Sequence, residues 1–260
     1  GVDIGKLPEL ADAGTVLGPI RPEICQALGL TGEPVFVVGT ADTQSAISAM
    51  QAEVGELVTV SGTTSPTLKI ITDFCKYPRT WVSPTAEPGR LMLEVNTASS
   101  GINLQRFKDT MLKDMPYEHL NEDAAQRGLP ERNLPGMYAV FLTGMHLDQD
   151  LLTGGFVMSN PISVDTKPED YFHALTLNIG MSISMCIEKM KTLQPLEHDY
   201  LIGCGGGFCE CFGSCICERF CRFFGEAFDN EFRPLDSALL SIPLGYIAVW
   251  EYSALSIVSG

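Results

Sequence analysis

A layered α/β architecture is the fold class this sequence predicts, and three observations predict it. Short apolar, β-branched runs closed by Gly or Ser recur along the chain. One long stretch carries apolar residues at helical spacing, and strands and helices are interleaved rather than segregated. With 45% apolar residues, 260 residues can bury a sizeable core, and 19% charged residues is a globular rather than a disordered composition.

Taken in order, Pro34 to Val38 (PVFVV) reads as a short buried strand stopped by Gly39. Asp42 then stands where an N-cap would, ahead of the helix-compatible TQSAISAMQAE, and Gly55 ends that helix. LVTV, the small-residue turn SGTTS and PTLKII read as two strands joined by a tight turn. Further strands are expected at Arg79–Val82 and Leu91–Val95, with a helix near Asn103–Leu112. Met115 to Pro135 is polar and proline-punctuated, hence surface helix and loop, and Met137–Leu142 is a strand candidate. The strongest helix follows Thr166. Thr166 and Glu169 have capping-box spacing, Phe172, Leu175, Ile179, Cys186, Met190 and Leu193 recur at helical spacing, and Pro195 closes it. Tyr200–Gly203 is then a brief strand running into Gly205, Gly206 and Gly207. Beyond Gly207 the texture changes to FCECFGSCICERFCRFFGEAF, without a clean period.

The net charge of −15 argues against nucleic acid, whose phosphates need a surplus of Lys and Arg. No apolar run is long enough for a bilayer, so no membrane role is expected. The start, GVDIGKLPEL, shows neither a signal peptide nor an initiator Met, and the chain is expected to begin mid-protein. Of nine cysteines, Cys25, Cys75 and Cys186 are scattered and the other six fall between Cys204 and Cys221. Reduced thiols in a cytoplasmic protein are the expectation.

Three glycine-and-hydroxyl turns, each beside a strand, carry the chemistry. In Gly39-Thr40-Ala41-Asp42 a carboxylate sits at the mouth of a helix, where it serves as an N-cap or a general base; capping is the commoner role. In Ser61-Gly62-Thr63-Thr64-Ser65, clustered N–H groups and hydroxyls can cradle phosphate oxygens, or simply close a hairpin. In Gly203-Cys204-Gly205-Gly206-Gly207, bare backbone lets a flat ligand lie close, or turns a strand into a helix; the GxGxxG dinucleotide fingerprint is absent. His119, His146, His173 and His198 share no metal-ligand spacing. Met181, Met185, Met190, Trp81 and Trp250 are read as packing residues. The cluster Cys209, Cys211, Cys215, Cys217 and Cys221 lacks the CxxC knuckles of common zinc sites.

In this order the turns resemble the FGGY family of carbohydrate kinases, which includes xylulose, ribulose and glycerol kinases. TVLGPIRPEICQALGL resembles the approach to that family's interdomain region, VVGTADTQSAISA its strand–Asp–helix segment, and LVTVSGTTSPTLKI its phosphate-binding hairpin. EVNTASSGINLQRFKD is similar to the segment with a Gly-rich turn before a helix, MYAVFLTGMHLDQDLLTGGFVMSN to the stretch before the long helix, and YLIGCGGG to the adenosine-contacting turn. The resemblance spans roughly Gly1 to Gly207 and implies an actin-like, ribonuclease-H-like ATPase domain with a mixed sheet and flanking helices. Residues 1–51 would end the amino-terminal sugar-binding domain, 52–207 would form the nucleotide-binding domain, and 208–260 would be atypical.

The resemblance implies ATP-dependent phosphorylation of a sugar or polyol hydroxyl, with Mg²⁺ bridging phosphate oxygens and a homodimer left open. Asp42 would be the base, since an ordinary Asp is ionised near neutral pH. Ser61, Gly62, Thr63 and Thr64 would hold ATP phosphates, and Gly205, Gly206 and Gly207 would face adenosine. Two departures stand out. No GxDxGT-like first phosphate turn occurs, and the Ser and the helices expected after the glycines are missing. The expectations are therefore an inactive partial copy and a change of reading frame just after Gly207. A nucleotide-binding remnant without catalysis and a thiol-rich metal-binding protein are the alternatives.

Overall fold

The computed structural model describes residues 3–127, 137–141, 154–198 and 200–205. They fall into two compact units, one from Gly1–Gln51 and Pro84–Arg90, the other from Ala52–Ser83 and the described residues from Leu91 onward. Among the described residues no helix is long and apolar enough to cross a membrane.

In the first unit, strand β1 (Val16–Pro19) pairs antiparallel with β2 (Val35–Val37), and helix α1 (Pro22–Leu28) lies between them in the chain. Neither β1 nor α1 was expected as an element, yet α1 has ordinary punctuation. Pro22 opens it and Gly29, at φ 66°, closes it in the left-handed conformation. Helix α2 (Asp42–Ala49) ends sooner than expected because Gln51 turns left-handed at φ 52°, with its N–H on the Ser48 carbonyl. The loop Pro84–Arg90 is pinned to this helix by Ser48, whose hydroxyl donates to Glu87. That bond holds the Glu87 carboxyl below its ordinary range.

The second unit is built on a five-stranded mixed sheet in the order β5-β6-β4-β3-β9. Its strands are β3 (Leu57–Val60), β4 (Pro66–Ile71), β5 (Trp81–Pro84), β6 (Leu91–Asn96) and β9 (Ile202–Cys204). β4 runs antiparallel to β3 and β6, whereas β9 lies parallel to β3. A parallel neighbour needs a crossover, which includes α5 (Pro168–Leu193). The register places Leu57 opposite Lys69 and Lys69 opposite Leu93, then Thr59 opposite Thr67 and Thr67 opposite Val95. Those rows face α5, whose Leu175, Ile179, Ile183, Cys186, Ile187 and Met190 join Leu57, Leu93 and Val95 in one core. Val58, Leu68, Ile70 and Met92, on the reverse face, are also buried. A strand buried on both sides loses polar alternation, which is why PTLKII reads as a nearly continuous apolar run.

Helices α3 (Gly101–Met111) and α4 (Tyr117–Arg127) pack on α5 through Leu104 and Leu120, and the hairpin β7 (Met137–Phe141) with β8 (Gly154–Met158) flanks it. Several boundaries differ from the expectations. α5 starts at Pro168 with Lys167 as N-cap, and Asp170 rather than Glu169 accepts the cap N–H, at 2.7 Å. Arg79 is left-handed at φ 58°, so β5 starts later than the expected strand. β9 starts at Ile202 rather than Tyr200, whose side chain is committed to Glu56. Met190 is in the core, but Met181 and Met185 lie on the outward face of α5 and Trp81 is 54% exposed, so these three are not core packing residues. Leu142, His146, Trp250, the proposed frame change and the cysteines beyond Cys204 lie outside the described residues.

Candidate functional site

One end of the five-stranded sheet gathers three chain turns of the second unit. β3 ends there at Val60, β4 begins there at Pro66, β6 ends there at Asn96 opposite Pro66, and β9 ends there at Cys204 opposite Val60. The loops leaving these strands are Ser61–Ser65, Thr97–Gly101 and Gly205. They are laced together from below.

The lacing uses small polar groups. The Ser61 N–H donates to the Cys204 carbonyl at 2.7 Å, and the Ser100 and Ile102 N–H groups both donate to the Thr63 carbonyl, at 3.2 and 3.1 Å. The Ser65 N–H donates to Thr97 Oγ1 at 3.1 Å. Ser65 Oγ then lies 2.8 Å from Ser100 Oγ and 3.4 Å from Ser61 Oγ, a buried chain of three hydroxyls. Each of these serines satisfies the others where water is excluded, so the turn is held rigidly from behind.

Two glycines are required by the closeness of these turns. A Cβ on Gly101 would overlap the Gly62 carbonyl, and a Cβ on Gly205 would overlap the Ser61 carbonyl, with Gly205 also at φ 93°. The outer surface of the site is different. Gly62, Thr63 and Thr64 are exposed. Among the described residues, the Thr63 and Thr64 hydroxyls and the N–H groups of Thr63, Thr64, Ser99 and Gly101 find no protein acceptor or donor. Gly101 opens α3, whose first turn contains no acidic side chain to offset the positive end of its dipole. Unspent N–H groups, two hydroxyls and a helix N-terminus on one side of a fixed turn suit the oxygens of a phosphate.

The sequence-derived residues divide accordingly. Thr63 and Thr64 line the outer surface. Gly62 spends its own N–H on the Thr64 carbonyl at 2.8 Å, and Ser61, 4% exposed, braces the turn from beneath. Gly205 abuts the turn, while Gly206 and Gly207 lie outside the described residues. Thr97, Ser100 and Gly101 were missed as site residues. Their signal was the run Thr-Ala-Ser-Ser-Gly directly after a strand, the same small-residue texture as Ser61–Ser65. In that run Asn96 Oδ1 accepts the Ala98 N–H at 2.8 Å and Ala98 turns left-handed at φ 56°.

Asp42 belongs to the first unit. It is the first residue of α2 rather than its N-cap, which is Ala41, and its exposed carboxylate accepts the Thr43 N–H at 2.7 Å. Capping one residue along is a local alternative to the expected N-cap bond, and it leaves the second carboxylate oxygen open to solvent. Among the described residues no group of three or more His, Cys, Asp or Glu is placed to hold a metal ion.

No protein-family model matches the chain. It is 30% identical over 205 residues to YoaC of Bacillus subtilis (strain 168), a protein named as a candidate sugar kinase; this covers 78% of the chain and 41% of YoaC. A xylulose kinase from Brucella ovis superimposes with a TM-score of 0.59 at 13% identity, over 96% of the chain and 57% of that kinase. Plasmodium falciparum glycerol kinase, solved with ADP, superimposes with a TM-score of 0.56 at 15% identity, over 79% of the chain and 41% of the kinase. The chain thus spans about half the length of the proteins it matches.

Proposed function

We propose that this chain, which is homologous to sugar kinases and carries the actin-like fold of the FGGY carbohydrate kinases, is the nucleotide-binding portion of an ATP-dependent kinase acting on a sugar or polyol hydroxyl. The observation that supports it most strongly is the braced turn Ser61–Ser65, whose outer hydroxyls and N–H groups are unspent beside the α3 N-terminus. Thr63 and Thr64 hold phosphate oxygens, with Gly62 keeping the mouth free of side chain and Ser61 holding the turn's position. Gly205 presents bare backbone to adenosine, and contact with adenosine is the role assigned by resemblance to Gly206 and Gly207, which lie outside the described residues. Mg²⁺ would enter with the nucleotide and offset the charge of its phosphates. Asp42 takes the proton of the attacking hydroxyl.

In phosphoryl transfer, catalysis is mostly positioning and charge stabilisation around a phosphoryl group enclosed from water. The matched relatives are about twice as long. We therefore assign nucleotide binding to this chain and assign transfer to a full-length assembly. Calorimetric titration with Mg·ADP should give saturable binding by the chain, and Thr63→Val with Thr64→Val should weaken it about tenfold or more, since each loses a hydrogen bond to a charged oxygen. No binding at millimolar Mg·ADP, or equal binding by the double variant, overturns the reading. In a full-length kinase carrying these residues, Asp42→Asn should lower kcat by on the order of 10²-fold while ADP still binds.

A further inference from the structure

We propose that Lys69 and Glu197, with Glu56 and Tyr200, form a latch at one end of the sheet that sets the register of β9 and so positions the Gly205 turn at the other end; this rests on the nucleotide-turn reading above. β9 is the weak point of the site. Among the described residues it spans three positions and pairs with β3. So few ladder bonds fix a register poorly, and a slip of one residue would reverse which face each side chain takes. It would also move Gly205 away from the Ser61 carbonyl, beside which there is no room for a Cβ.

The anchors lie just before β9, in the segment that leaves α5. Lys69 sits on the core-facing side of β4 between Leu57 and Leu93, with its side chain only 3% exposed. Its Nζ donates to the Pro195 carbonyl at 2.5 Å and to Glu197 Oε1 at 2.9 Å. Glu56, also buried, accepts the Glu53 N–H at 2.7 Å through one oxygen and the Tyr200 hydroxyl through the other. Gly55, at φ 95°, leaves the space that the Glu197 carboxylate fills. Lys69 thus commits its ammonium to Pro195 and Glu197, and Glu56, just ahead of β3, commits one carboxylate oxygen to Tyr200. Lys69 is buried while its Glu197 partner is largely exposed, and an ion pair with a buried member is seldom more stabilising than apolar side chains of the same volume. An apolar residue at 69 would serve the α5–sheet core as well; only the link to the β9 segment would be lost. Lys69, Glu56, Glu197 and Tyr200 are positioning residues, because none reaches the nucleotide turn itself.

Hydrogen exchange on the full chain tests this without ligand. The Ser61 N–H is protected only while β9 is docked, since its acceptor is the Cys204 carbonyl. In Lys69→Met, Ser61 should exchange about tenfold faster while the amides shared by β4 and β6 keep their protection. Equal exchange at Ser61, or equal acceleration throughout β4 and β6, overturns the proposal, the latter because it shows an ordinary structural lysine. Glu197→Ala, at a side chain 58% exposed, is the variant that must fold. It should speed Ser61 exchange by about threefold, and no change there overturns the proposal equally. Mg·ADP titration supplies the link to function: in Lys69→Met the Kd should rise about tenfold. An unchanged Kd beside faster exchange overturns the positioning role. If the unaltered chain binds no Mg·ADP, the nucleotide-turn reading fails, and Ser61 exchange still decides the latch.

Discussion

Gly205→Ala should open the second unit, and the structure supplies the magnitude. Two costs add. Gly205 has φ 93°, where an L side chain strains the backbone by roughly 1–2 kcal/mol. Its new Cβ would also overlap the Ser61 main chain, which is fixed by the Cys204 hydrogen bond, adding roughly 1–3 kcal/mol of overpacking. The sum, about 2–5 kcal/mol, is a large part of the roughly 5–15 kcal/mol that holds a domain folded. Gly55→Ala is the internal control. Gly55 has nearly the same φ, 95°, but its Cβ would meet the end of the Glu197 side chain, which is exposed and can swing away. The control therefore carries the roughly 1–2 kcal/mol of strain and the loosening of the ion pair between Lys69 and a half-exposed carboxylate, about 0–1 kcal/mol. Exchange of the β4 and β6 amides measures opening of this unit directly, without assuming that both units unfold together. Gly205→Ala should exceed Gly55→Ala by about 1–3 kcal/mol. Equal effects at the two positions would refute the claim that Gly205 is locked against Ser61.

Two further outcomes follow from titratable groups. Burial, then the Glu94 carboxylate, push the Cys186 thiol up to about 12, leaving about 10³-fold fewer thiolates at pH 8 than an ordinary cysteine has; peptide-resolved alkylation should find Cys186 unreacted in the native chain, and labelling at the rate of Cys25 would contradict its place in the core. Burial raises the Asp170 carboxyl, but the Lys167 N–H and the Arg127 guanidinium outweigh it and hold it below its ordinary value. A depressed carboxylate contributes stability above its unfolded pKa of about 3.9 and loses it as pH falls through the lower folded value. Thermal melts between roughly pH 5 and pH 2 should show a shallower acid limb in Asp170→Asn, by about 1 kcal/mol, and an unchanged limb would assign the tie between α4 and α5 to other groups.

Much of the sheet was legible because its strands are short apolar runs with hard stops. LVTV, SGTTS and PTLKII gave β3, the turn and β4 at once, since one face of that hairpin packs on α5 and the other is buried too. α5 was legible from its long apolar stripe, but its start was not. Thr166 and Asp170 are both credible capping residues, and Pro168 at the first helical position decided between them by fixing the backbone there. β1 and α1 were missed because they bury no residue, so no hydrophobic period marks them. Met181 and Met185 were misjudged for the converse reason: apolar identity alone does not say which side of a fully helical stretch faces out. In the candidate site, the turn that exposes the two threonines was readable from its own residues. Ser100 and Gly101 were not, nor was the lysine of PTLKII at the far end of the sheet, because their roles depend on partners 35 to 128 residues away. Only the register of the sheet brings those partners together.

Amide chemical shifts of the labelled chain, recorded as Mg·ADP is added, test the central claim most directly. Saturable shifts should appear at Thr63, Thr64, Ser99, Gly101 and Gly205, the groups at the braced end of the sheet, with the amides of β7 and β8 unmoved. Stationary amides at those five residues in millimolar Mg·ADP, or shifts centred elsewhere, would contradict it.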